Sequence, residues 1–213
     1  MKIRCELGIV TGILALMSFA LTGCRIDTHS NGNNQDVKIA TPFGGMSVKT
    51  DDNAVQAGVG LSVYPGATLV KKLHTKDNGD HEHDSGAADI NMSFGSFHLG
   101  VKALSYETSD APDKVIAFYR KDMARYGQVI FCQGKHAVGQ PTETQDGLTC
   151  DENKRKNVYV HGDDEGNDGE LRAGSRQHQH IVSVDSQGSG TKFGLVMLDL
   201  PGHLDDGNGD SRD

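Results

Sequence analysis

The chain has 213 residues, with 29 acidic against 21 basic side chains and a formal net charge of −8. That balance argues against nucleic-acid binding, which needs basic patches to neutralise phosphates, and leaves no polybasic stripe for anionic lipid headgroups. Apolar residues make up 36% of the chain, Trp is absent and 27 residues are Gly, the composition of one modest core with long loops.

Met1-Lys2-Ile3-Arg4 and an apolar run from Leu7 to Ala20 have the layout of an export signal. The run is too short for a comfortable membrane span, which needs about 20 apolar residues. Leu21-Thr22-Gly23-Cys24 follows. This pattern resembles the lipobox of bacterial lipoproteins, in which small residues precede the cysteine that carries lipid. The resemblance implies cleavage between Gly23 and Cys24, a diacylglycerol thioether on Cys24 and an amino terminus acylated with a chain such as palmitate. Two or more such chains attach a protein firmly, where one binds marginally. Arg25 stands where an Asp would suggest inner-membrane retention, which favours the outer membrane if the host is a diderm. Loss of Lys2, Arg4 and Glu6 leaves 19 basic and 28 acidic side chains, a net charge of −9.

Cys5 departs with the signal and Cys24 takes the lipid. Cys132 and Cys150 remain as an even pair in an oxidising compartment and are expected to form a disulfide. A reactive thiol or metal pair is the alternative, unsupported by any CxxC spacing.

Residues 25–36 are polar and rich in Asn and Gly, and read as a flexible tether. Residues 37–60 hold a short hairpin around Phe43-Gly44-Gly45, then a soft linker from Thr50 to Gly60. The compact domain is expected over 61–201, starting near the turn Tyr64-Pro65-Gly66. Ala67 to Leu73 reads as a strand and His74 to Ala87 as a polar loop. Ala88 to Phe94 and Phe97 to Thr108 form a hairpin in which Leu99, Val101 and Ala103 alternate with His98, Lys102 and Leu104, so its inward face is ambiguous.

A helix is expected over about 111–126. Asp110 would cap it, Pro112 sits in its first turn, and Val115, Ile116, Tyr119, Met123 and Tyr126 form one stripe. Gly127 ends it. Gln128 to Cys132 then reads as a strand, Gln133 to Asn153 as a loop closed by the disulfide, and Val158 to Val160 as a short strand. His161 to Glu170 is a polar loop, and Gln177 to Asp185 with Phe193 to Leu200 form a last hairpin. Residues 202–213 read as an acidic disordered tail. The expected class is α+β: a small antiparallel sheet with one main helix on one face. Tyr64-Pro65-Gly66-Ala67, the run from Tyr106 to Pro112 and Phe118-Tyr119-Arg120 resemble a loose group of exported bacterial proteins. That group has no assigned activity to carry over and implies fold and compartment alone.

Metal-ligand residue types gather in two places. His81 and His83 point the same way in an extended segment and, with His74, could join His178 and His180 around a divalent transition metal. The bland alternative is a set of solvated loops. The Gly-rich acidic stretches at Asp163 to Glu170 and Asp205 to Asp210 miss the EF-hand register. There is no Gly-x-Ser-x-Gly, Walker loop, His-Glu-x-x-His or dinucleotide fingerprint. The expectation is a membrane-anchored envelope lipoprotein, non-enzymatic and without a cofactor, that binds a protein partner or a small ligand. A divalent-metal-binding lipoprotein is the alternative.

Overall fold

A computed structural model describes residues 24–31, 34–70, 72–75, 81–84, 86–151 and 169–202. The expected signal (1–23), the strand at Val158 to Val160, the acidic stretch from Asp163 to Asp168 and the tail after Gly202 lie outside the described residues.

The sheet is large, not small, which corrects the expected architecture. Its strands are β1 (Arg25–Asn31), β2 (Asn34–Thr41), β3 (Gly44–Lys49), β4 (Thr68–Leu69), β7 (Ala87–Phe94), β8 (Phe97–Thr108), β9 (Ile130–Gln133), β10 (His136–Ala137), β11 (Gly169–Gly174), β12 (His178–Gln187) and β13 (Gly190–Asp199). These make an 11-stranded antiparallel sheet in the order β1-β2-β3-β7-β8-β13-β12-β11-β9-β10, with β4 on β8. A separate ribbon pairs β5 (Lys72–Thr75) with β6 (His81–Asp84); β5 straddles the end of the expected strand at Leu73, and β6 lies inside the stretch read as a loop.

Two helices accompany the sheet: α1 (Asp52–Val59) and α2 (Pro112–Met123), the latter extended by a 3-10 turn at Ala124–Tyr126. The segments assigned to a tether and a linker therefore contain β1, the start of β2 and α1. The physical reason is cross-strand matching: β3 pairs with β7 from Gly44↔Phe94 to Lys49↔Asp89, which draws the amino-terminal strands into the sheet. α1 forms because the Asp51 side chain accepts from the Ala54 amide at 2.8 Å, a cap worth about 1 kcal/mol. Val55 and Val59, one turn apart, are fully buried, and Gly60 ends the helix at φ 71.

α2 follows the expected stripe, with Val115, Tyr119 and Met123 buried. Its cap differs. Ala111 is the N-cap and makes no side-chain bond; the Asp110 carboxylate instead accepts from Tyr64 Oη at 2.9 Å and Lys114 Nζ at 2.7 Å. Thr191 Oγ1 donates to the Asp110 carbonyl at 2.6 Å, so the Tyr-Pro-Gly turn, the helix entry and β13 meet at one residue.

Both helices lie on the same face, over Leu104, Tyr106, Leu171, Val182, Val184 and Leu195. Phe193 centres this core, with ring centroids 5.6 Å from Tyr106, 5.6 Å from Tyr119 and 6.2 Å from Tyr64. Cys132 and Cys150 form a disulfide, the pair expected. It is buried with Ile130 and Leu148 on the opposite side of β9 from Phe131, so the loop it closes covers that end of the outer face.

Candidate functional site: an apolar sheet face beyond the helices

Successive side chains on a strand point to opposite faces, so the register assigns every residue a side. Over β11, the middle of β12 and β13, and β8 from Leu104 onward, the helix side is apolar. Over β1, β2, β3 and the joined ends of β7 (from Asp89) and β8 (up to Lys102) the sidedness inverts. There the helix side carries His29, Asp36, Lys49, Asp89 and Lys102, directly opposite one another on consecutive strands. Opposite charges in facing positions stabilise neighbouring strands. Lys102 Nζ contacts Asp89 Oδ1 at 3.1 Å, and Asn91 Nδ2 donates to the same oxygen at 2.5 Å. The Lys102 stem lies against Gly58 of α1, where a side chain would collide with it.

The outer face of these strands is apolar instead. One rung crosses five strands as Ile26, Ile39, Met46, Met92 and Leu99. The next crosses as Val37, Val48, Ile90, Val101 and Leu198. A third, Ala88, Ala103, Val196 and Ile181, ends at Arg172. Neither described helix packs on this side, since both belong to the core over Leu104 and Tyr106. Most of these side chains are half-buried, Leu198 is buried and Ile26 is exposed. A contiguous apolar surface of this kind marks an interaction site on a protein in water.

No family model matches this chain, and no curated protein or solved structure does either. The surface therefore has to be read from its own chemistry.

The residues singled out for metal binding fall in different settings. His178 and His180 share the helix side of β12, but His178 Nδ1 is held by the Asp199 carboxylate. The His180 ring is stacked on Tyr126, centroids 3.6 Å apart, with Nδ1 buried and unpartnered. Burial lowers the His180 pKa, and the Arg125 charge acts in the same direction. His74 faces Glu82 and His83 faces Leu73 across the β5–β6 ribbon, where His81 faces Thr75; their side chains are outside the description. Among the described residues no three His, Cys, Asp or Glu side chains gather as a metal-holding group.

The polar clusters that remain are structural in geometry. Tyr119 Oη donates to the Ser62 carbonyl at 3.1 Å and its pKa is raised by burial. Asp122 accepts from the Ser62 amide and hydroxyl, both at 2.9 Å, which fastens the chain before the Tyr-Pro-Gly turn to α2. A cavity of about 540 Å³ along α2 is lined by Asp113, Ile116, Ala117, Arg120 and Lys121, and it opens to solvent without converging catalytic groups. Cys24, the residue assigned to lipidation, is exposed immediately before β1.

Sequence reasoning missed the outer face, although its signal was present as alternation at Val37/Ile39, Met46/Val48, Ile90/Met92 and Leu99/Val101. Alternation says that a strand has an apolar side; pairing decides whether those sides join.

Proposed function

We propose that the protein is a lipid-anchored, non-enzymatic binding module of the cell envelope, and that it engages a protein partner through the apolar outer face. The observation that carries this is the pair of continuous apolar rungs over β2, β3, β7 and β8, one reaching β1 at Ile26 and the other β13 at Leu198, set against a charged ladder on the reverse side. An isolated sheet gains nothing from inverting its sidedness away from its own helices, whereas a docked partner would bury those rungs at roughly 25 cal/mol per Å². The Leu21-Thr22-Gly23-Cys24 pattern supports an anchor at Cys24, and Arg25 after it supports the outer membrane in a diderm host.

Photo-crosslinking in intact cells tests the binding surface. A crosslinker at Ile90, on the outer face, is expected to give a discrete adduct that Val48→Lys abolishes, while one at Lys38, on the reverse face, gives none. Equal labelling from both faces would refute the assignment. The anchor is tested separately: Cys24→Ser is expected to release the protein from membranes or block its processing, and unchanged membrane partition would refute lipidation.

A further inference from the structure

We propose that the end of the sheet beside Cys24 inserts into the lipid bilayer, with Phe43, Phe94 and Phe97 entering the acyl region next to the lipid anchor. This rests on the assignment of lipid to Cys24. β1 begins at Arg25, so no spacer separates the anchor from the sheet. Arg25 faces Ala40, Ala40 faces Gly45, Gly45 faces Ser93 and Ser93 faces His98. The β2–β3 turn and the β7–β8 turn therefore lie side by side at the end where Cys24 enters.

Exposed apolar side chains concentrate there. Ile26 is 66% exposed and Phe43 84%, and Phe94 and Phe97 complete the group. Among the described residues only one further large apolar side chain is exposed, Val138 in the loop closed by the disulfide. Residues 40–46 and 92–98 contain no Asp or Glu, in a chain that has 29. Arg25 is the charge nearest the anchor, and Asp27 pairs with it at 2.9 Å. A carboxylate-free tip avoids the desolvation penalty that the rest of this acidic surface would incur.

The backbone of the tip is also suited to lipid, which offers no hydrogen-bond partners. Thr41 Oγ1 accepts from the Phe43 amide at 3.3 Å and the Gly44 amide at 3.1 Å, and donates to the Gly44 carbonyl at 2.8 Å. A Cβ at Gly44 would strike the Ser93 carbonyl, so glycine lets the two hairpins close into one wedge. Paired convex tips continuous with an acyl anchor suit a bilayer surface, into which rings of this kind insert at the interface. Insertion would hold the sheet at a set orientation and lift the apolar rungs clear of the headgroups.

The absence of Trp from the chain makes Phe43→Trp a single-fluorophore reporter, with Val138→Trp as the control. The full chain is reconstituted into phosphatidylcholine vesicles carrying dibrominated acyl chains. The indole at position 43 is expected to emit to the blue, to be quenched by the brominated lipid and to resist acrylamide; the indole at position 138 is expected to do none of these. The mass of the amino-terminal peptide reports acylation independently. Acylated protein with no lipid quenching at position 43 overturns the insertion and leaves the anchor intact. If Cys24 carries no lipid, the same vesicles added to the protein decide the matter, since quenching supports insertion without an anchor and its absence overturns it. A blue shift that ignores brominated lipid and grows with protein concentration would place the tips in a second copy of the chain, which also overturns it. In the Cys24→Ser background, Phe43→Asp is expected to lower vesicle partition by about tenfold or more, and unchanged partition counts against insertion.

Discussion

Reducing the Cys132–Cys150 disulfide should destabilise the domain by a predictable amount. The bond joins residues 18 apart, and releasing a loop of that size returns about 3 kcal/mol of entropy to the unfolded chain in the loop-closure treatment. The released segment is not loosely attached in the folded state. Leu148 N donates to Thr144 Oγ1 at 2.9 Å, Gln145 N donates to Gln128 Oε1 at 2.8 Å, and Arg172 and Arg176 donate to the carbonyls of Thr149 and Gly147. The loop should thus stay in place when the bond is broken, and the effect should act mainly on the unfolded state. Urea unfolding of oxidised and reduced protein measures it. With a slope of about 2 kcal/mol per molar, the midpoint should fall by about 1.5 M, and the slope should rise as the unfolded chain expands. Cys132→Ala with Cys150→Ala should cost about 1–2 kcal/mol more, because the two sulfurs fill space beside Ile130 and Leu148. A reduced protein whose midpoint lies within about 0.3 M of the oxidised one would refute the entropic account.

Two further outcomes follow from burial. Phe193→Ala should cost about 3–5 kcal/mol, since its ring meets Tyr64, Tyr106 and Tyr119, whereas Phe43→Ala in solution should cost under about 0.5 kcal/mol; similar losses by calorimetry would contradict the core assignment. His180 binds its proton more weakly folded than unfolded, because burial lowers its pKa. Its contribution to stability is therefore present above the unfolded value of about 6.5 and is lost as pH falls through the lower folded value. Chemical unfolding between pH 7.5 and 5 should show a shallower decline for His180→Gln than for the native chain, and parallel curves would contradict it.

Elements with local, self-contained signals were legible in the sequence. Pro112, the Val115-Tyr119-Met123 spacing and Gly127 mark α2 because a helix satisfies its own backbone and shows its buried stripe at fixed intervals. The hairpins that turn at Phe43-Gly44-Gly45, between Phe94 and Phe97, and between Asp185 and Phe193 are likewise legible in the sequence. α1 escaped notice although Asp51, Val55, Val59 and Gly60 spell a cap, a stripe and a stop, because eight residues give the pattern barely two turns. β11 reads in the sequence as the end of a loop and its approach to β12, since Gly169 to Gly174 owes its place to partners on both sides.

β8 shows most clearly where sequence runs out. Its pattern was ambiguous because the strand changes its apolar side along its length. Leu104 and Tyr106 face the helices, while Leu99, Val101 and Ala103 face outward. No single inward face existed to be found.

The sequence by itself determined the cysteine pair, α2 and most turns, all of which depend on residues close together in the chain or on simple counting. Only the tertiary structure decided that β3 lies beside β7. That pairing turns a supposed tether into the sheet's edge, aligns the apolar rungs across separate hairpins and brings Phe43, Phe94 and Phe97 to the end that carries Cys24. Cross-strand register is a long-range property, set by which strands bury each other's sides, and no window along the chain contains it.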